Sequence, residues 1–292
     1  MLPDRRDVKC GAGDDCAVVA TGDKRFDLLL TSDPVIHGVH FSPGAPASAV
    51  GHKALARVLS DIAAMGGEPL WALIDVVAPP ECPESRIAGI YSGLTRLARR
   101  WGVAVVGGDL SEGPQLELHA FCVGRVPAGE AALRSGARPG DMIGVTGSLG
   151  GSALGHHLRF APRLREGAWL RNRVSAMMDL SDGLAADLPR LLEASGAGAV
   201  LDAASIPISA AVRRMAGSVA PLAHALSDGE DFELLFTVRP ANAGKLLAQW
   251  QRTFRSRCTL IGRVTNETGR IEIITKQDRR PLSEQGYEHF RR

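Results

Sequence analysis

Apolar and polar positions alternate along this chain with two periods. Residues 26–31 form a short apolar run that ends in Thr31-Ser32-Asp33, which predicts a strand delivering polar groups at its end. Between residues 50 and 65, Leu55, Val58, Leu59 and Ile62 recur at helical spacing, and Gly66-Gly67 with Pro69 stops the helix. Residues 70–77 predict a strand, and Ile87, Ile90, Leu94 and Leu97 mark a helix. Residues 103–106 form a strand running into Gly107-Gly108-Asp109, and residues 116–123 form another. The turn-rich, charged stretch 124–138 predicts a boundary between domains at 1–126 and 127–292. Beyond it, a strand at 142–146 leads into Gly147-Ser148-Leu149-Gly150-Gly151. A helix with Leu184, Leu188, Leu191 and Leu192 inward follows Asp182-Gly183. Strands are predicted at 199–201, 233–238 and 259–264, and a helix at 241–254. Strand and helix alternate in both halves, which predicts α/β layering.

Composition narrows the class. The 292 residues allow two domains, and 45% hydrophobic with 23% charged content is that of a globular protein. A net charge of +2 argues against nucleic acid as a partner. No run approaches the roughly 20 apolar residues that span a bilayer, so no membrane association is expected. The five cysteines are odd in number and lack CxxC spacing, which favours neither a disulfide framework nor a zinc site. A cytoplasmic setting with inert thiols is the expectation.

The aspartates carry the chemical signal. Most aspartates in such proteins are surface or turn residues, and that reading covers Asp23 and Asp278. Another set sits at the ends of apolar segments beside Gly or Ser: Asp14-Asp15, Asp33, Asp61, Asp109, Asp179, Asp182, Asp228 and Asp231, with Glu230 and Glu233. Hard oxygen donors at strand ends suit Mg²⁺, which binds a few carboxylates plus substrate phosphates. In MMDLSDGL, residues 177–184, two carboxylates stand three residues apart with no Lys or Arg between Val174 and Asp187. Unpaired charge in an apolar stretch is costly, so divalent ions are expected to balance it. Competing signatures are missing: TGSLGGSALG lacks the Lys of a Walker A loop, and no dinucleotide fingerprint, HExxH or GxSxG motif occurs.

Taken in order, GAGDDCAVV, TSDPVIHGVHF, GHKALARVLSDIAAMGGEP, GGDLSEGP, LRSGARPGDMIGVTGSLGGSALG, MMDLSDGLAADL, SDGEDFELLFTV and GYEHF resemble the thiamine-monophosphate kinase family over nearly the whole chain. That family lies in a superfamily with aminoimidazole ribonucleotide synthetase and selenophosphate synthetase, which use ATP without a P-loop. The resemblance implies a two-domain α/β fold similar to aminoimidazole ribonucleotide synthetase. Its N-terminal domain binds ATP and metal and forms a β-barrel-like interface in a homodimer, and a C-terminal α/β domain follows.

The implied reaction is Mg²⁺-assisted transfer from ATP to thiamine monophosphate, giving thiamine diphosphate. By motif position, Asp15, Thr31, Ser32, Asp33, Asp61, Asp109, Asp179 and Asp182 match metal-site residues for several Mg²⁺ ions. Gly108, Asp109, Arg134 and Ser181 match nucleotide-contacting positions, and His40, Glu230 and Tyr287 match positions near the thiamine phosphate. The acceptor is an ionised phosphate, so no side-chain base is required. The chain departs from the family at Leu110-Ser111-Glu112, where two threonines and often arginine are usual, and at Asp228, where glycine is usual. Two alternatives stand beside this reading. One is an ATP-dependent synthetase or kinase of the same superfamily acting on another small phosphorylated substrate. The other is a nucleotide-binding homologue with weak catalysis.

Overall fold

The computed structural model describes residues 5–215, 217 and 219–282. It divides into two compact units, one of the residues up to Ala131 with Leu158–Leu164, the other of Ala132–His157 with the residues from Arg165 onward. No described helix is long and apolar enough to cross a membrane.

The first unit contains β1 (Val8–Cys10), β2 (Ala17–Ala20), β3 (Phe26–Ile36), α1 (Ala47–Ala64), β4 (Glu68–Ala78), α2 (Glu84–Trp101), β5 (Ala104–Gly107), β6 (Leu110–Glu112) and β7 (Glu117–Pro127). The strands form one mixed sheet in the order β1-β2-β3-β7-β4-β5, with β6 also paired to β4. β3 runs past the predicted end at residue 31, because β7 pairs with it continuously from Phe26–Pro127 to Ile36–Glu117. Thr31, Ser32 and Asp33 therefore lie inside a strand, where the period of two sends Ser32 to the face opposite Thr31 and Asp33.

The helix predicted from Leu55, Val58, Leu59 and Ile62 is α1, and all four side chains are fully buried. α1 packs on β3 and β7 beneath α2. The helices approach so closely that a Cβ at Gly51 would lie 1.9 Å from the Ile90 carbonyl oxygen, and one at Gly93 1.8 Å from that of Ser48. The sheet alternates accordingly: Ala72, Ile74 and Val76 of β4 are buried, whereas Trp71 and Leu73 on its other face are exposed. With Val106, Phe121 and Val123 they line one apolar patch on that face.

The second unit contains β8 (Met142–Thr146), α3 (Leu164–Leu170), β9 (Ala176–Asp179), α4 (Leu184–Ser195), β10 (Gly198–Asp202), α5 (Ala210–Arg214), α6 (Pro221–Ser227), β11 (Leu234–Val238), α7 (Pro240–Thr253), β12 (Cys258–Thr265), β13 (Ile271–Ile274) and β14 (Arg279–Pro281). Its sheet has the order β14-β13-β10-β12-β8-β11-β9. Only the β10–β13 pair among these is parallel. The leucines at 184, 188, 191 and 192 bury one stripe of α4 against Ile143, Val145, Met178 and Leu235 in a continuous core. β8, β11 and β9 are almost wholly buried, which is why they read as continuous apolar runs rather than as alternating ones.

Candidate active site

In the first unit the polar chemistry is organised by one line along α1. Lys53, Arg57 and Asp61 are spaced by four residues, so they share a helix face. Lys53 is fully buried and its Nζ donates to the His40 carbonyl at 2.6 Å. Arg57 holds Asp33 with both arms of its guanidinium, Nε to Oδ2 at 2.9 Å and Nη2 to Oδ1 at 3.1 Å. Asp61 accepts from the Thr31 hydroxyl at 2.5 Å. Asp15 and Asp61 each offer a carboxylate oxygen, and these lie within 4.8 Å of one another. The Cys16 thiol is buried, and burial followed by the negative charges of Asp61 and Asp15 pushes its pKa well up. Burial likewise raises the Cys122 thiol to about 12. Both sulfurs stay protonated and unreactive near neutral pH.

Two carboxylate oxygens at that separation, with a hydroxyl beside them, are hard oxygen donors of the kind that suit Mg²⁺, whose Mg–O distances are about 2.0–2.1 Å. Thr31, Asp15 and Asp61 are thus brought together. Ser32 is exposed on the opposite face of β3 and does not join them. Asp109 is exposed between β5 and β6 and accepts from Ser111 Oγ at 2.5 Å, so the serine that departs from the family pattern orients this carboxylate. Gly108 is held at φ 146°, and a Cβ there would fall 1.9 Å from the Ile74 carbonyl oxygen, so only glycine fits. His40 is buried in a turn where its Nδ1 accepts from the Ile36 amide at 3.0 Å, which places the proton of a neutral ring on Nε2.

In the second unit Asp179 is the last residue of β9, opposite Leu234 of β11, and is buried. The turn that follows is tied to α4 by Asp187. Its Oδ2 accepts from the amides of Asp182 (2.9 Å) and Gly183 (3.1 Å), and its Oδ1 accepts from Arg190 Nη1 at 2.7 Å. The same Nη1 lies 2.5 Å from Asp182 Oδ2. Burial, then the charges of Asp182 and Asp179, raise the Asp187 carboxyl to about 7, and Arg190 opposes that shift only in part. Burial opposes the charge on Arg190, but its hydrogen bond to Asp182 and the charges of Asp187 and Asp182 outweigh that and raise its pKa, with a small opposing repulsion from Arg134. Ser195 fixes the Arg134 segment by donating to the Arg134 carbonyl at 3.1 Å and accepting from the Ala137 amide at 3.1 Å.

Glu230 and Phe232 adopt left-handed backbone, φ 53° and 50°, which is uncommon for residues with a side chain. Their amides donate to the carbonyls of Ser181 (2.6 Å) and Leu180 (2.8 Å), so the strained turn is locked onto MMDLSDGL. This joins Ser181 to Glu230. The other acids of the turn hold the glycine loop after β8. Asp231 accepts from the Gly150 amide with both oxygens, at 2.9 and 3.0 Å, and Asp228 accepts from the Gly151 amide at 2.6 Å while pairing with His224 Nδ1 at 2.9 Å. Glu233 accepts from Thr146 Oγ1 at 2.6 Å. Burial raises the Asp231 carboxyl well above its ordinary range.

Two expectations are corrected here. Divalent ions are not the only balance for the carboxylates, because Arg57 neutralises Asp33 and Arg190 reaches Asp182 and Asp187. Asp228, Asp231 and Glu233 belong to the acidic set by pattern, yet they serve as acceptors for the glycine loop and its strand. Tyr287, expected near the substrate, lies outside the described residues. The sequence reading missed Lys53 and Arg57, whose signal is their spacing of four residues from one another and from Asp61 along a largely apolar helix.

Two mixed α/β units, each presenting carboxylates beside glycine-rich turns, define a class that matches known families. The model "AIR synthase related protein, N-terminal domain" matches residues 13–126, and "AIR synthase related protein, C-terminal domain" matches residues 157–274. Thiamine-monophosphate kinase of Salmonella typhimurium is 36% identical over 98% of this chain and 93% of its own length. The solved structure of AaThiL complexed with AMPPCP and TMP has a TM-score of 0.83 and 30% identity, over 95% of this chain and 91% of that one. The thiamine-monophosphate kinase of Stenotrophomonas maltophilia gives 0.80 and 34%, over 92% of each chain. The chain belongs to the thiamine-monophosphate kinase family.

Proposed function

We propose that this protein transfers the terminal phosphoryl group of ATP to thiamine monophosphate, giving thiamine diphosphate and ADP. The observation that carries the reading is the likeness to a thiamine-monophosphate kinase over 98% of the chain. Phosphoryl transfer needs positioning and charge stabilisation, and an ionised acceptor phosphate needs no base, which agrees with an acidic site lacking a catalytic His or Ser. Asp15, Asp61 and the Thr31 hydroxyl in the first unit, and Asp179 and Asp182 in the second, are oxygen donors that would hold Mg²⁺. Bound magnesium would supply charge neutralisation on the phosphate oxygens.

The chain's own residues do the rest. Arg134 offers a planar guanidinium fork to phosphate, while Arg190 holds Asp182 and Asp187 in place. Ser181 reaches the nucleotide, with Gly108 and Asp109 contributing from the first unit. Glu230, fixed by its strained backbone, offsets the cationic thiazolium, and His40 serves the thiamine phosphate. The enzyme works in the cytoplasm as a homodimer, its first sheet covering the apolar patch of Trp71, Leu73 and Val106 with that of a second copy.

ADP release measured with thiamine monophosphate, with and without Mg²⁺, tests the reaction; folded, ATP-binding protein without turnover would sink it. Asp182→Asn is expected to lower turnover roughly 100-fold with unchanged melting. Near-normal turnover would put Asp182 outside the site. Leu73→Glu with Val106→Glu is expected to convert a sedimenting dimer to monomer, and a monomeric wild type would refute the dimer.

A further inference from the structure

The second unit carries a basic cleft at the end of its sheet away from Asp179. In the β9–β11 ladder Asp179 pairs with Leu234 and Ala176 with Thr237, while Val238 pairs with Met142 of β8. The segments entering β8 and β9 and leaving β11 therefore meet at one end. That end lies roughly 13 Å along the strand from Asp179, at about 3.3 Å per residue. Two adjoining cavities of about 460 and 410 Å³ open there and share Asn172, Arg173 and Asn242. Lys245 lines the first, Arg138 and Arg239 line the second, and no Asp or Glu lines either.

Each cavity is within the range of small-molecule sites, about 300–1,000 Å³. Four cations and no carboxylate line them, which attracts an anion and repels a cation. Arg138, Arg239 and Lys245 make no ion pair among the described residues. Arg173 is already oriented: its guanidinium carbon lies 4.3 Å from the centroid of the Trp169 ring, and Nη1 donates to the Trp169 carbonyl at 2.6 Å. An arginine held in this way loses little freedom when it binds an oxyanion. A single phosphate, with at most about two charges, would match only half of the four cations. A polyphosphate lying across both cavities matches more of them, with Asn242 offering an amide donor.

We infer that this cleft binds a small molecule bearing a diphosphate or triphosphate, at a site distinct from the carboxylate cluster. The inference does not rest on the proposed transfer reaction. The test is calorimetry of the full chain in EDTA with inorganic pyrophosphate and tripolyphosphate. Three proteins are compared: wild type, Arg239→Ala/Lys245→Ala, and Asp61→Asn/Asp179→Asn. Wild type and the carboxylate variant are expected to bind saturably, and the cleft variant at least about tenfold more weakly. The cleft variant should keep the wild-type melting temperature and rate of ADP release. Absence of saturable binding to wild type would overturn the inference, as would full binding by the cleft variant. Binding of a single-stranded RNA probe that pyrophosphate fails to displace would also overturn it, making the cleft a nucleic-acid surface.

Discussion

Thr146 holds two buried partners with one hydroxyl. Its Oγ1 donates to Glu233 Oε2 at 2.6 Å and accepts from the Leu234 amide at 2.8 Å. Thr146 and Leu234 are fully buried and Glu233 is 3% exposed, so water cannot replace either bond. Thr146→Val keeps the shape and deletes the hydroxyl. An N–H left unsatisfied costs about 1–3 kcal/mol, and the loss of a donor to a carboxylate about 1.5–3 kcal/mol, so a net loss near 3–4 kcal/mol is expected. Thr146→Ser keeps the hydroxyl and should cost only about 1 kcal/mol, the value of one buried methyl group. Equilibrium urea unfolding gives the loss, and hydrogen exchange of a peptide spanning residues 231–238 shows whether the Leu234 amide is deprotected. A Val variant less than about 1 kcal/mol below wild type would refute the reasoning, as would a Ser variant as unstable as the Val variant.

Two further outcomes follow from buried groups. The Asp187 carboxyl is raised from 3.8 to about 7, so in the folded protein it keeps its proton over a range where the unfolded chain has lost it. Its contribution is complete below pH 3.8 and lost as pH rises through about 7; metal-free stability should therefore fall across that window, and Asp187→Asn should flatten the slope. An unchanged slope in the variant would reassign the effect to another group. Phe160 is 1% exposed, packs edge-on against the His52 ring and accepts from His52 Nε2 at 2.7 Å through its carbonyl. Phe160→Ala should cost about 3–5 kcal/mol in calorimetric unfolding, and a loss below about 1 kcal/mol would mean that the first unit folds without it.

Periodicity made most of the framework legible. α1 and α4 follow from apolar residues that recur at helical spacing and are buried in both helices. β3 was cut short at residue 31 since Ser32, Asp33 and Pro34 look like a strand terminator, whereas pairing with β7 decides its length. The carboxylates of the site were legible by type and context, but their partners were not. Arg57 lies 24 residues from Asp33, and Asp231 meets the glycine loop across 81 residues, separations over which local pattern carries no information. Arg190 stands one turn beyond Asp187, just outside the motif that posed the charge problem.

The short stretch Leu158–Leu164 belongs to the first unit although the chain has by then entered the second. During synthesis, the N-terminal sheet and its two helices leave the ribosome well before Phe160 arrives to cover His52. The first unit is therefore finished late, after residues 132–157 have emerged. A gene cut after Ala131 yields a fragment with that bed open to water. Chimeras that exchange halves with a relative should carry residues 158–164 along with the N-terminal half.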